Sequence, residues 1–380
     1  MLAAGHLCVD FCQGAVPALL PFLIRDRGYS YAAVAALVLA SSIGSSLIQP
    51  LFGLRSDRMS APWLMPGGVL VGGIGIGLAG VAPSYLLTFA AVLVSGIGVA
   101  AFHPEGARYA NHVSGARRAT GMSYFSLGGN AGFALGPALV TPLVLVFGLS
   151  GTILAALLPA AVAGWLLREL PRIRGFRPAP AAARADEERA SEEEHWGPFS
   201  RLAGVASLRS VVYFGLQAFV PVWFVTRFSA SEAEGNAALT AMLVAGAVGT
   251  LLGGRLADRI GRRAVLAGSM GALVPVLVVF LLVDQAVATA LLVPIGLFTI
   301  ANFSVTIVMG QEYLPGRLGL ASGITVGLAI GVGGLGAAVL GVVGDAVGLG
   351  AVMWTLAALP PLAFLLALTL PRAARPPPMR

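Results

Sequence analysis

Gly254-Arg255-Leu256-Ala257-Asp258-Arg259-Ile260-Gly261-Arg262-Arg263 sets four arginines and an aspartate between two long apolar runs. A shorter block of the same kind, Gly53-Leu54-Arg55-Ser56-Asp57-Arg58, follows an earlier apolar run. Asp57 and Asp258 are 201 positions apart, and the same shift lays Gly115 of VSGARRATG on Gly316 of LPGRLGLASG. One offset that aligns two separate loops argues for an internal duplication, which is how many membrane carriers are built.

Outward from these loops the chain is apolar. Of 380 residues, 57% are hydrophobic and 11% charged, with mean hydropathy +0.86. A soluble domain carries about 25% charged residues, so there are too few polar groups here to cover a water-facing surface. A bilayer crossing takes about 20 apolar residues. Such runs fall at 3–25, 30–54, 62–83, 84–107, 119–147, 150–168, 208–228, 236–255, 263–283, 286–311, 319–344 and 349–370. The expected fold is an all-α polytopic membrane protein of about 12 transmembrane helices in two six-helix bundles. Its parts are an N-terminal bundle (1–170), a linker (171–207), a C-terminal bundle (208–371) and a tail (372–380). The fifty glycines suit close helix packing in lipid. The first run lacks a basic leader and an A-x-A-like site, and it contains His6, Asp10 and Gln13. It therefore reads as a spanning helix, not a cleaved signal. Cys8 and Cys12, one turn apart within it, read as small apolar residues.

The net charge of +7 does not imply nucleic-acid binding, because the 24 cationic residues, all arginines, lie in short loops between apolar runs. Three of them, Arg25, Arg27 and Arg227, fall on one side and the other 21 on the opposite side. The positive-inside rule then places both termini and the linker in the cytoplasm. The linker reads PRIRGFRPAPAAARA and then DEERASEEEHW, too polar to pack alone.

The block Gly254–Arg263 resembles the loop signature G-x-L-A-D-R-x-G-R-R of the major facilitator superfamily. Its first-half copy departs after Arg58, with MSAPW following. HLCVDFCQGAVPALLP, LIQPLFG, AAFHPEGAR and FSLGGNAGFALGP, in that order, resemble the fosmidomycin-resistance group within it. The resemblance implies a major facilitator fold and a proton-driven exporter of small drug-like or anionic compounds, such as phosphonate antibiotics, in a bacterial inner membrane. A monomer is expected, with the lipid bilayer, protons and a small molecule as partners, and with no cofactor. Within the signature, Gly53, Asp57, Arg58, Gly254, Asp258, Arg259, Arg262 and Arg263 are expected to form a conformational latch in the loops. Gly254 would permit close helix contact, Asp258 would face a helix N-terminus, and the arginines would bridge helix ends.

His6, Asp10 and Gln13 stand at i, i+4 and i+7, on one helical face. Ionisable residues inside a span are costly and turn to a cavity or a partner. At 1.5 Å per residue, His6 and His103 lie at similar depth from the same membrane face, so Asp10 and His103 can meet. Glu105 points about 200° away from His103 along the helix and can pair with Arg108 at i+3. Pro104 removes a backbone bond between them. The candidate proton-coupling residues are Asp10, His103, Glu105 and His6; a buried polar network that merely ties helices together is the alternative. At the 201 offset these four correspond to Ser207, Val211, Ser304 and Thr306, none of which titrates in this range. A purely architectural need would recur in both halves, whereas an ion-coupling site needs only one.

Gly128, Gly132, Gly136 and Pro137 form a glycine-rich face ending in G-P, suited to tight packing; it also resembles the antiporter signature of drug exporters, which implies an antiport-specific role. Candidate substrate contacts are Gln13, Asn130, Tyr213, Gln217, Trp223 and Asn302. Uptake by symport is the alternative to export. A membrane-embedded metal enzyme using His6, Asp10, His103 and Glu105 is more remote, because it leaves the duplication and the latch without a role; no bound metal is expected.

Overall fold

The structure, a computed structural model, describes residues 1–49, 51–52, 61–114, 118–173, 175 and 193–371. The first half contains α1 (Leu2–Arg27), α2 (Tyr31–Ser46), α3 (Leu64–Val81), α4 (Tyr85–Val113), α5 (Arg118–Phe147) and α6 (Leu157–Ile173). The second contains α7 (Trp196–Phe228), α8 (Glu232–Ile260), α9 (Arg262–Leu282), α10 (Gln285–Tyr313), α11 (Leu320–Val347) and α12 (Leu349–Leu368). Helix α10 opens at Ala301–Asn302, and α11 carries a π-helical stretch at Gly323–Leu328.

Ten helical stretches among the described residues are long and apolar enough to cross a membrane. One of them, Tyr124–Ile173, runs 50 residues. That length is about 75 Å at 1.5 Å per residue, more than twice a hydrocarbon core of ~30 Å. It breaks at Gly148–Gly151, where Gly148 takes φ +63°, so it provides two crossings, α5 and α6. With the shorter, 16-residue apolar helix α2, the described residues hold twelve principal helices.

Several boundaries differ from the sequence expectation. Helix α7 begins at Trp196, not at 208, because Phe199, Leu202, Val205 and Ala206 are buried against the bundle. Its start is pinned: His195 N–H donates to the Tyr313 carbonyl at 2.7 Å, and Glu194 pairs with Arg317 at 2.8 Å. Arg209, which the sequence reading put at the very start of the 208–228 run and counted with the loop arginines, therefore lies well inside a helix and is buried. Helix α8 continues to Ile260 and stops at Gly261, whose φ of +94° suits glycine. Asp258 and Arg259 thus end a helix and are not in a loop. Gly53, Asp57, Arg58 and residues 174 and 176–192 of the linker lie outside the described residues.

The halves join through α2 on α11, α5 on α8 and α1 on α7. Their polar contacts among the described residues gather at the end of the bundle opposite the chain termini. Arg25 Nη1 meets Glu232 Oε1 at 3.0 Å, and Asn236 Nδ2 donates to the Ala18 carbonyl at 3.0 Å. The Asp345 carboxylate accepts Tyr31 N–H at 2.8 Å and Ala32 N–H at 2.9 Å, while Ser30 Oγ accepts Ala33 N–H at 3.2 Å. Three orphan donors of α2 are thereby satisfied, two of them by the other half of the protein, and the carboxylate also meets the positive helix end. This closes the end opposite the termini. Asp345→Asn keeps the size but weakens two charge-assisted bonds. It should raise the population open at that end about five- to tenfold, read from spin-label distances between α2 and α11. An unchanged distance distribution would show that apolar packing alone holds the closure.

Candidate functional site

The α1 face delivers His6 and Asp10, and α4 delivers His103 against them. His6 Nε2 lies 3.3 Å from Asp10 Oδ2, and His103 Nε2 lies 3.4 Å from Asp10 Oδ1. Asp10 is buried and the two imidazoles are nearly so. Helix α5 closes the cluster from the third side. His6 Nδ1 is 2.7 Å from the Phe125 carbonyl, and its ring stacks on Phe125 at 4.2 Å. The His103 ring meets His6 edge-on at 5.0 Å.

These contacts constrain where hydrogen resides. A carbonyl oxygen only accepts, so His6 Nδ1 carries its hydrogen. In a neutral His6 the Nε2 atom would then present a lone pair to a carboxylate oxygen. The 3.3 Å contact is attractive only if a further proton sits on Nε2 or on Oδ2. A cation could serve instead: one ligand atom each from His6, Asp10 and His103 lies within 4.8 Å of the others. The orientation of His6 by a backbone carbonyl is of the kind found behind metal-bound imidazoles.

Glu105 stands apart from the cluster. It is buried, its Oε2 accepts from Arg108 Nη2 at 2.6 Å, and its Oε1 accepts Ala61 N–H at 2.7 Å. It ties the start of the α3 region to α4, and its carboxylate is occupied by these bonds.

Gly129 was passed over by the sequence reading, although it lies within the GGN block. A Cβ there would come within 2.5 Å of Asp10 Oδ2 and 2.6 Å of His6 Nε2. Only hydrogen fits at that point. Gly129→Ala should therefore push the Asp10 and His6 side chains apart while α5 stays folded. Coupled transport should fall about tenfold or more, with the melting temperature changed by only a few degrees. Wild-type coupled rates in that variant would show that the cluster geometry is not needed.

Gly128, Gly132 and Gly136 turn to α1: a Cβ on them would strike the backbone of Ala3, Leu7 and Gly14, respectively. Pro137 lies inside α5 without interrupting it. Gln13 and Asn130 are half-buried on the α1 and α5 faces. Tyr213, Gln217 and Trp223 lie on α7, the latter two buried with Gln217 Nε2 and Trp223 Nε1 lacking hydrogen-bond partners. Asn302 turns elsewhere, donating to Ser269 Oγ on α9 at 2.8 Å at the break in α10. In the second-half signature, Arg262 pairs with Glu312 at 2.6 Å and Arg263 donates to the Leu368 carbonyl, so both bridge helix ends. Asp258 and Arg259 are exposed. The close approach belongs to Gly253, whose Cβ would strike the Ala301 backbone, and not to Gly254, whose nearest neighbour would be Ser304 Oγ at 3.8 Å.

Residues 2–231 and 202–380 match the family model of the Major Facilitator Superfamily. An uncharacterized MFS-type transporter of Bacillus subtilis (strain 168) is 33% identical over 378 residues, covering 95% of this chain and 89% of that protein. The fosmidomycin resistance protein of Escherichia coli (strain K12) is 30% identical over 354 residues, covering 90% and 85%. Among solved structures, an inward-facing, unoccupied bacterial homolog of the human lysosomal transporter Spinster superposes with TM-score 0.79 at 17% identity, covering 97% of this chain and 96% of that one. A point mutant of the nucleoside transporter NupG gives 0.74 at 15% identity, covering 97% and 100%.

Proposed function

Because this chain belongs to the major facilitator superfamily, as a multi-pass membrane transporter and not an enzyme, we propose that it is a proton-coupled exporter of a small drug-like or anionic compound. The observation that carries the proton coupling is the Asp10 carboxylate held between two imidazoles, in an arrangement that requires a proton or a cation between His6 and Asp10. The similarity to a fosmidomycin resistance protein supports export and a phosphonate-like compound. Closure at the end opposite the termini supports a state open toward the termini.

In this reading the protein works by alternating access as a monomer in a bacterial inner membrane, with both termini and the polar segment between the bundles in the cytoplasm. A proton binds at His6–Asp10–His103 in one state and leaves in the other. Glu105 anchors α4 and does not carry the proton. The Arg262–Glu312 and Arg263–Leu368 contacts hold the helix ends that must move. Gln13, Asn130, Tyr213, Gln217 and Trp223 contact the compound, and Asn302 supports the break in α10.

Purified protein in vesicles loaded with a pH-sensitive dye tests this directly. Fosmidomycin added to one side should drive protons in the opposite direction, and a protonophore should abolish accumulation. Protons moving with the compound would identify a symporter. Compound flux with no proton movement would refute coupling.

A further inference from the structure

The second half holds a buried cation that the cluster above does not use. Arg209 lies on α7 and is only 3% exposed. Its guanidinium sits over the Phe303 ring at 5.2 Å, and Nη2 reaches Ser210 Oγ at 3.4 Å. Its Nε has no hydrogen-bond partner, and it has no carboxylate partner among the described residues. A guanidinium is always charged and offers five donors in a planar fork. Burying such a charge without an anion is expensive, and the π-face of Phe303 returns only a small part of that cost.

The neighbours point the same way. Arg209, Tyr213 and Gln217 stand at i, i+4 and i+8, so they line one face of α7. Gln217 is 2% exposed and its Nε2 is a second buried donor without a partner. Tyr213 stands between Arg209 and Gln217 on that face, and α7 packs against α1. Two unsatisfied N–H donors, one carrying a full positive charge, flank a phenol. A group rich in acceptor oxygens matches that set: a phosphonate, phosphate or carboxylate can take the guanidinium fork with two oxygens. At the 201 offset Arg209 corresponds to Cys8, so the cation is confined to the second half as the titrating cluster is to the first.

We propose that Arg209, assisted by Gln217, is the subsite that binds the acidic group of the transported compound, on the α7 side of the path. The inference rests on the transporter reading above. The anion supplies the counter-charge that the guanidinium lacks, and the rest of the compound extends toward α1. The two halves then divide the work, one holding the proton and the other the anion.

The test uses the full-length protein in detergent, with phenylphosphonate and benzoate as probes and diethyl phenylphosphonate and benzamide as neutral counterparts. Thermal stabilisation should appear with an acid probe and not with its neutral counterpart. Arg209→Gln should weaken the apparent affinity for that probe about 50-fold or more, while Arg209→Lys, which keeps the charge but loses the fork, should weaken it about tenfold. The lysine variant also serves if the glutamine variant does not fold. Equal acid-dependent stabilisation in wild type and either variant would overturn the subsite, as would equal stabilisation by acids and neutral counterparts or by neither. Proton flux in vesicles is read separately. Intact proton–compound coupling with no effect of Arg209 would sink the subsite and leave the transporter reading standing. Acid-dependent binding lost in the variants, with no proton flux in wild type, would do the reverse.

Discussion

Asp10→Asn should abolish uphill transport, so that the concentration ratio of compound across reconstituted vesicles falls to about one while downhill exchange continues within about threefold of the wild type. The carboxylate is the meeting point of the cluster, at 3.3 Å from one imidazole and 3.4 Å from the other. An amide has nearly the same size, so packing against α4 and α5 is kept, but it cannot take up or release a proton near neutral pH. Compound binding then no longer changes proton affinity, and by reciprocity the gradient no longer biases compound. His103→Gln should act in the same direction more mildly, because His6 still offers Asp10 a proton. His6→Gln should be at least as severe as His103→Gln, because His6 is the imidazole fixed by the Phe125 carbonyl. Wild-type proton flux and accumulation in Asp10→Asn would make the cluster a structural tie between helices.

Gly132→Val should cost the protein much of its folded yield. A Cβ at Gly132 would strike the Leu7 carbonyl and come within 2.8 Å of the Phe11 amide, and both are backbone of a helix with no room to retreat. Overpacking typically costs about 1–3 kcal/mol. A clash with backbone belongs at or above the upper end, because no side-chain rotamer can relieve it. Gly128 and Gly136 lie on the same seam, so moving α1 away from α5 to admit one side chain would open the whole contact and displace His6 and Asp10 with it. The variant should show a fall of several degrees in melting temperature in detergent and a loss of monodisperse protein on size exclusion. Gly164→Ala is the matched control: nothing lies within 4 Å of the Cβ it would add, so it should behave as wild type. Equal behaviour of the two variants would show that α1 and α5 are not in close contact.

The fold was legible because its determinants are local. A span announces itself by length and apolarity, and a duplicated loop by residue identity at a fixed offset. Neither depends on which helix touches which. The resemblance through Gly254–Arg263 and the helix motifs agrees with the superfamily membership found by comparison. Helix ends were less legible. Arg209 was counted with the loop arginines, at the edge of the 208–228 run, because a lone arginine beside apolar residues looks like a topology signal. Only the burial of Phe199, Leu202, Val205 and Ala206 shows that α7 starts earlier and encloses it. The spacing of Arg209, Tyr213 and Gln217 on one helical face was the available clue.

By itself the sequence determined the helical membrane class, the two-half organisation and the types of residue available for chemistry, since these follow from hydropathy, repeat spacing and the cost of placing ionisable groups in lipid. Tertiary structure decided which of those residues meet. His6 and His103, 97 positions apart, come to share one carboxylate, Glu105 is drawn to Arg108 and Ala61, and Asn302 turns to Ser269. Gly129 becomes the spot where any added side chain would press on Asp10 and His6. The physical reason is rotational: a helix has some face toward every neighbour, and which face meets which depends on the packing of all the helices together. One helix turned by about 100° about its axis changes every partner without altering a residue of the sequence.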